Sequence, residues 1–224
     1  MSTLNITERE NELFARWSQK YEGCADSFIK DGVPCPESFE KASCKITFVL
    51  KDPNDFQGSN MDMRRWVYKY GGRPQTWDNV TRWTQAILEG GDFPQKISLD
   101  DRFRWLRQIS FMNLKKLNGL SSAYSPAIKS YAKNDAEFIF EQLNIYQPDI
   151  IVCCGKNLVF DCLADYVFSH DDDWEYNTEA FYVQLPGKAH KTVALNCYHP
   201  QPRMKYENLF YALTESLRKN VRKV

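Results

Sequence analysis

The sequence predicts a single-domain α/β protein with a mainly parallel, four-stranded sheet and helices on both faces of that sheet. Short runs rich in β-branched and aromatic residues alternate along the chain with longer segments of helical periodicity. Strands that alternate with helices typically form a parallel sheet that is covered on both sides. The run Ile150–Cys154 is apolar throughout, as expected of a strand buried on both faces.

The predicted strands end close to turns or polar residues, which makes their boundaries clear. The four strands of the sheet are expected at Ile46–Leu50, Ile109–Asn113, Asp149–Gly155 and Thr192–Asn196. A shorter run, Phe181–Val183, predicts an edge strand.

Helical periodicity occupies most of the segments between these strands. Thr7–Glu10 has the composition of a capping box, which predicts a first helix that runs to about Tyr21. Residues 22–43 are rich in Gly, Pro, Ser and Cys and predict irregular chain. Further helices are expected at residues 61–70, 76–89, 129–146 and 157–168, and an amphipathic helix with Leu209, Phe210, Leu213 and Leu217 closes the chain.

The chain of 224 residues shows no internal repeat and no low-complexity segment. We expect residues 1–44 to form an N-terminal helix and an irregular extension. Residues 45–224 are expected to form the α/β domain itself, so that the whole chain is one compact domain.

The composition excludes several classes of protein. With 43% hydrophobic and 26% charged residues, the chain is not of a disordered type. No apolar run reaches the roughly 18–20 residues of a membrane span, and the N-terminus lacks the regions of a signal peptide. We therefore expect a cytoplasmic monomer that does not bind membranes.

The seven cysteines predict reduced thiols, because no export signal accompanies them. Cys153 and Cys154 lie in an apolar run, where thiols behave as small hydrophobic groups. No CxxC pair is present, so no metal site is expected.

The net charge is zero, which argues against bulk electrostatic binding to nucleic acid but not against a local basic strip. Basic and aromatic residues alternate in two segments, 64–83 and 102–107. Such alternation suits a phosphate backbone with stacked bases. The alternative is a set of amphipathic helices with aromatic core faces and solvated arginines.

Three residues with chemical potential lie at predicted strand ends: Asp52, Asn113 and His199. In open α/β sheets, ligands bind outside the carboxyl ends of the strands, so a carboxylate, an amide and an imidazole are expected in one cleft. Each also has an ordinary structural alternative, since Asp52 can open a turn, Asn113 can cap a helix and His199 can be a satisfied loop residue.

The order of short motifs around these residues resembles the uracil-DNA glycosylase superfamily from about residue 45 to 215. Lys51-Asp52-Pro53-Asn54 after a strand is similar to the motif that delivers a catalytic Asp-Pro, and Ser110–Asn113 resembles the base-reading strand end. Residues 150–155 resemble its apolar strand and glycine. His199–Arg203 resembles its His-Pro-Ser loop, which enters the minor groove.

The resemblance implies a DNA glycosylase that breaks an N-glycosidic bond without a cofactor and without lyase activity. It implies that Asp52 orients water and stabilises the sugar cation, and that His199 hydrogen-bonds the departing base. The base itself would be bound by Asn54, Asn113 and a stacking aromatic, either Phe56 or Phe111. DNA contacts are implied for Gln201, Arg203 and Lys205, with Arg203 as the wedge that fills the vacated stack.

Two departures from the superfamily pattern bear on the substrate. Asn54 stands where uracil-specific members carry a Tyr that blocks carbon 5 of the pyrimidine, and Gln201 replaces the Ser of the motif. We therefore expect a 5-substituted or otherwise modified pyrimidine, as in some viral DNA, which indicates a defence enzyme. The alternatives are a uracil repair glycosylase, a catalytically silent module that binds a flipped base, and a hydrolase of free nucleosides or nucleotides.

Overall fold

The computed structural model describes residues 5–21, 23–24, 27–54, 61–119, 125–168, 175–201 and 204–221. Its strands are β1 (Ile46–Leu50), β2 (Ile109–Asn113), β3 (Ile150–Cys154), β4 (Glu175–Tyr176), β5 (Ala180–Val183) and β6 (Thr192–Cys197). They form one sheet in the order β2-β1-β3-β6-β5-β4.

The parallel part of the sheet consists of β2, β1, β3 and β6, so the predicted α/β class and the four parallel strands are confirmed. The strand predicted at Phe181–Val183 is confirmed as β5, which pairs antiparallel with β6, but it is not the edge strand, because β4 lies outside it. The total of four strands is wrong, because β5 and the two-residue β4 form a hairpin that extends the sheet. A strand as short as β4 carries too few residues to show a period in the sequence.

The helices of the described residues are α1 (Ile6–Gln19), α2 (Pro36–Glu40), α3 (Met63–Tyr70), α4 (Pro74–Leu88), α5 (Leu99–Leu106), α6 (Ser125–Asn134), α7 (Ala136–Tyr146), α8 (Leu158–Cys162) and α9 (Tyr206–Asn220). A π-helical turn, Leu163–Val167, continues α8. The single helix predicted at 129–146 is two helices that meet at Asp135. The buried carboxylate of Asp135 accepts hydrogen bonds from Lys20 Nζ (2.7 Å) and the Tyr21 hydroxyl of the first helical segment, which fixes the break.

Two hydrophobic layers cover the sheet, one on each face. Side chains of α1, α2, α6, α7 and α8 pack on one face, and side chains of α3, α4, α5 and α9 pack on the other. Neighbouring residues of β3 alternate between the layers: Ile151 and Cys153 face the first, and Val152 and Cys154 face the second. This double cover explains why the strand is apolar without alternation.

The first helix is capped two residues earlier than the sequence predicted. Asn5 accepts a hydrogen bond from the backbone N–H of Glu8, and the Glu8 carboxylate accepts from the backbone N–H of Asn5, so these two residues form the capping box. Glu10 cannot complete the predicted box with Thr7, because its side chain is buried and bonds the backbone N–H of Val33 (2.9 Å).

The segment between α1 and β1 is part of the core, and the structure shows what its irregular chain does. Phe28, Val33 and Phe39 pack in the first hydrophobic layer. The backbone of Gly32 pairs with Phe111 of β2, and Ile29 N–H donates to the carbonyl of Lys116 (2.8 Å). Residues 27–33 therefore lie along the outer edge of β2.

The cysteines are free thiols, and four of them, Cys153, Cys154, Cys162 and Cys197, are buried. Burial raises the pKa of each of these four thiols. Within the described part of the chain, no three His, Cys, Asp or Glu side chains are grouped closely enough to hold a metal ion. No helix in that part combines the length and apolar character that crossing a membrane requires.

Candidate active site

Three loops leave the carboxyl edge of the sheet from strands that lie side by side. Asp52 follows β1, Gly155 follows β3, and His199 follows β6. The strand β3 lies between β1 and β6, and all three run parallel. Because parallel strands end at the same edge, the fold places Asp52 and His199 on one side of the molecule.

Asp52 is half-buried, and the loop that follows β2 passes directly over its carboxylate. Gly119 donates its backbone N–H to the carbonyl of Pro53 (2.8 Å), and a Cβ at Gly119 would overlap the carboxylate of Asp52. Loss of water contact raises the pKa of Asp52, and the charges of Lys115 and then Lys51 oppose that rise. The carboxylate is thus partly desolvated but kept close to two cations.

Replacing Gly119 with Ala is expected to slow base release by about 10²-fold, because the new methyl group displaces the Asp52 carboxylate and small misplacements of a reacting group are costly. Gly119 does not have a positive φ, so the effect of the substitution comes from contacts: beside the Asp52 carboxylate, the Cβ would lie 2.9 Å from the carbonyl oxygen of Pro53. The measurement is a single-turnover rate together with the thermal unfolding midpoint.

The control variant is Gly187→Ala, where the backbone conformation is unfavourable for alanine but no neighbouring group is displaced. Gly187 has a φ of 76° with open space around its Cβ position. Its substitution should cost stability through backbone strain and leave the rate unchanged. If Gly119→Ala keeps the wild-type rate, the carboxylate of Asp52 is not held by that contact.

His199 is half-buried, and its tautomer follows from a single hydrogen bond. The ring Nδ1 accepts from the backbone N–H of Gln201 (3.0 Å), so in the neutral ring the proton is on Nε2. Burial, and then the charge of Lys51, lower the pKa of His199 to about 4. At neutral pH the imidazole is therefore an uncharged donor through Nε2.

The loop that carries His199 is attached to α4. Asn79 donates its side-chain amide to the carbonyl of Pro200 (2.6 Å), and Arg82 donates to the side-chain oxygen of Asn79 (3.1 Å). Arg82 also donates to the carbonyl of Pro94 (2.8 Å) and is only 4% exposed. This arginine therefore supports the loop from inside the protein.

The arginines of the two basic segments do not behave as one class. Arg64 is only 6% exposed and pairs with Glu10 (2.6 Å) and Asp62 (2.8 Å). Arg65, by contrast, is 88% exposed, so the amphipathic alternative holds for it. The structure fits neither interpretation of these segments fully. The arginines do not form a continuous basic strip, and they do not all face solvent, because Arg64 and Arg82 are buried and bond carboxylates and backbone carbonyls.

Asn113 ends β2 at the same edge, but its side chain is directed into a buried ionic cluster and is only 2% exposed. The carboxylate of Asp31 accepts from the backbone N–H of Asn113 (2.7 Å) and from its side-chain nitrogen (3.0 Å). An ionised carboxylate accepts hydrogen bonds and does not donate them, so the nitrogen end of the Asn113 amide must face Asp31. The amide orientation is thereby fixed.

The cluster around Asp31 includes a fully buried lysine. Lys116 Nζ lies 2.6 Å from Asp31 Oδ1 and 2.8 Å from the side-chain oxygen of Gln142, and it lies over the ring of Trp17 at 4.7 Å from the centroid. Gln142 in turn donates to Tyr146, whose hydroxyl donates to Glu10. The cluster links Asn113 to the first helix.

The remaining predicted site residues fall into three groups. Phe111 is fully buried and packs edge-on against Trp77, with the ring centroids 4.8 Å apart. Its ring is thus part of the hydrophobic core. Asn54, Gln201 and Lys205 are exposed near the carboxyl edge. Phe56 and Arg203 lie outside the described residues.

Lys51 is a site residue that the strand-end analysis did not single out. Its charge acts on the pKa values of both Asp52 and His199. In the sequence, only its position directly before Asp52 could have indicated this role. A lysine at the end of a strand is usually exposed to solvent and is therefore not a specific indication of a site.

A cavity of about 480 Å³ adjoins this edge of the sheet, between β6 and α9. Its lining among the described residues includes Lys156, Tyr198 and Leu213, and neither Asp52 nor His199. The candidate site is therefore defined by the chemistry of its side chains and not by this cavity.

Comparison with known proteins gives no relative from which a role can be transferred. No protein-family model matches the chain, and no curated protein matches it.

Proposed function

We propose that this chain is a DNA glycosylase that hydrolyses the N-glycosidic bond of a flipped-out pyrimidine. The observation that carries the proposal is the pairing, at one edge of the sheet, of the desolvated carboxylate of Asp52 with the neutral, Nε2-protonated imidazole of His199. Cleavage of such a bond needs a negative group beside the sugar and a hydrogen-bond donor beside the departing base.

In the proposed reaction, the bond between the sugar carbon C1′ and the base nitrogen N1 breaks, and its electron pair leaves with the base. Asp52 stabilises the positive charge that develops on the sugar and orients the water that adds to C1′. His199 Nε2–H donates to a carbonyl oxygen of the base as that oxygen becomes negative. A neutral histidine suits this role, because it can donate this hydrogen bond to the base without carrying a positive charge itself.

Asn113 is proposed to read the flipped base through its amide. This role is carried by the resemblance of the motifs, since the amide of Asn113 is 2% exposed and donates its nitrogen to Asp31. A base read by this residue would have to donate a hydrogen bond to the amide oxygen. The role of Phe56 as the stacking ring rests on its nearness to Asp52 in the sequence. The roles of Arg203 as the wedge, and of Gln201 and Lys205 as DNA contacts, rest on the resemblance of the loop that carries His199.

The proposed substrate is a pyrimidine with a substituent at carbon 5, and the proposed setting is defence against viruses with modified DNA. Asn54 supports this choice, because it is small, polar and exposed at the carboxyl edge, where an aromatic ring would close the space beside carbon 5. A site that hydrogen-bonds a polar substituent discriminates strongly against bases that lack it.

The test is a panel of duplexes that contain uracil, thymine, 5-hydroxymethylcytosine or glucosylated 5-hydroxymethylcytosine, each followed by alkali to reveal abasic sites. Release of a 5-substituted base in preference to uracil supports the proposal. Release of uracil alone would identify a repair enzyme. Binding of duplexes without any release would indicate a silent binding module, and release only from free nucleosides would indicate a small-molecule hydrolase.

Replacing His199 with Ala is expected to slow single-turnover base release by about 10²–10³-fold, because the lost donor acts mainly on the charge that forms in the transition state. Base release by the wild type should also fall with decreasing pH, because the Asp52 carboxylate, whose pKa is raised by burial, gains a proton and because His199 gains a second proton near pH 4. Rates between pH 8 and pH 3.5, about the span of these ionisations, test this.

The control for His199 is the Kd for the same duplex, which should hardly change. A higher Kd with an unaltered single-turnover rate would make His199 a binding residue and contradict the proposed role.

A further inference from the structure

Lys51 is distinguished by the path of its side chain across the carboxyl edge of the sheet. The stem lies against Gly155, where a Cβ would be 2.7 Å from Lys51 Cε and 3.6 Å from Lys51 Cγ. Gly155 follows β3, and β3 separates β1 from β6. The stem of Lys51 therefore leaves β1 and crosses toward the strand that carries His199.

The backbone beneath this stem, residues 155–157, is fixed to β6 by hydrogen bonds. The backbone N–H groups of Gly155 and Lys156 both donate to the carbonyl of Cys197 in β6, at 3.0 and 2.7 Å. Asn157 follows in a γ-turn with φ of 62° and ψ of −57°, and its N–H donates to Asn196 (2.8 Å). Glycine at 155 is favoured by its φ of 150°, and a side chain there would also displace the Lys51 stem.

The charge of Lys51 reaches both candidate catalytic groups. It lowers the pKa of the Asp52 carboxyl and also the pKa of the His199 imidazole. A positive charge acts strongly on both only if it is near both, because exposed charges are screened beyond about 10 Å at an ionic strength of about 0.1 M. The path of the Lys51 stem and the effect of its charge thus both place the ammonium near Asp52 and His199.

We propose that Lys51 is a third catalytic group, whose ammonium hydrogen-bonds the departing base and stabilises the negative charge that forms on it. This inference rests on the proposed glycosylase function. The ammonium keeps its proton throughout: the C1′–N1 electron pair moves to the base, the oxygen of water bonds to C1′, and the proton released by that water neutralises the base. His199 supplies a dipole and Lys51 supplies a full charge.

A full charge at this position favours substrates whose bases are poor leaving groups. Cytosine derivatives are poorer leaving groups than the corresponding uracils, because the negative charge on a departing cytosine is less well delocalised. We therefore extend the substrate class to pyrimidines with an exocyclic amine at carbon 4. This choice agrees with a modified cytosine as the base.

The test compares Lys51→Met with Lys156→Met on the duplex that the wild type cleaves fastest. Methionine keeps an apolar stem over Gly155, so folding should be preserved, and Lys156 is a neighbouring lysine that bonds the Tyr198 hydroxyl (2.9 Å). Lys51→Met should lower the saturated single-turnover rate by about 10²–10³-fold, as loss of a transition-state donor does. Lys156→Met should retain the wild-type rate.

A second measurement follows the imidazole of His199 by NMR titration in the same variants. Removing the charge of Lys51 should raise the pKa of His199, whereas a lysine that only fills space would leave it unchanged. Borohydride treatment during the reaction is the third measurement. We expect no trapped protein–DNA adduct, because the ammonium does not attack C1′.

Several results would overturn the inference. A wild-type rate for Lys51→Met, with base release by the wild type intact, refutes the role of Lys51 and leaves the glycosylase standing. A borohydride adduct that is lost in Lys51→Met would make Lys51 a nucleophile instead. If the wild type releases no base from any duplex, the proposed function itself fails and takes this inference with it.

Discussion

Replacing Asp52 with Asn is expected to reduce the rate of base release by about 10²–10⁴-fold, which is the usual cost of losing a general-base or electrostatic group. Asparagine has nearly the same shape, so it fits below Gly119 but lacks the negative charge that stabilises the sugar cation. The affinity for duplex DNA should be retained, because Asp52 repels phosphate and contributes nothing favourable to its binding. Single-turnover kinetics and a binding isotherm on the same duplex separate the two effects.

The matched variant for this experiment is Asp149→Asn. Asp149 lies just before β3, at the opposite end of the parallel strands, where it pairs with Lys188 (2.6 Å). Its substitution should leave the rate of base release intact. Equal activity of Asp52→Asn and the wild type would remove Asp52 from the mechanism.

Replacing Asp31 with Ala is expected to destabilise the protein by about 3–5 kcal/mol, the cost of leaving a buried charge without its partner. Asp31 and Lys116 are both fully buried, and burial lowers the pKa of Lys116 while the carboxylate of Asp31 opposes that change. Without the carboxylate, the ammonium must either remain charged in an apolar environment or lose its proton. The free energy of unfolding in urea measures the loss.

A double-mutant cycle with Lys116→Met shows whether the loss comes from the orphaned charge. Methionine replaces the ammonium with an apolar group of similar length, so Asp31→Ala should cost much less in that background. Additive losses would contradict a direct interaction between the two residues.

The strands of this protein could be predicted from the sequence because their environment is uniform. β1, β2 and β3 are short, mostly apolar runs that are buried along their whole length, and a strand covered on both faces needs no other pattern. The positions of Asp52 and His199 at one edge then follow from the parallel arrangement alone. The topology of a parallel sheet is therefore sufficient to predict that these two residues of the candidate site share one edge.

The buried ionic cluster could not be predicted in the same way. Asp31, Lys116 and Gln142 are far apart in the sequence, and lysine is among the residues least often found fully buried. Each looked like an ordinary surface residue, and only the tertiary structure shows that they satisfy one another. The same is true of Arg64 and Arg82, whose partners come from distant segments or from backbone carbonyls.

Gly119 and Lys51 were missed for a related reason. Glycine is recognisable in a sequence when a turn needs a positive φ, but Gly119 is required because a carboxylate from another loop occupies the space of its side chain. Lys51 acquires its position from Gly155, about a hundred residues along the chain, where the absence of a side chain leaves room for its stem. Such requirements arise between segments and leave no local pattern.

The segment of residues 27–33 also covers an edge of the sheet that could otherwise pair with another chain. An open sheet exposes unpaired backbone groups on its outermost strands, and these can recruit strands of other molecules. Here Gly32 pairs with Phe111 on one margin, and the short hairpin of β4 and β5 ends the sheet on the other. A chain shortened to residues 45–224 would keep every strand but expose the backbone groups on the outer edge of β2. The N-terminal segment therefore protects that edge from pairing with other chains, in addition to its part in the core.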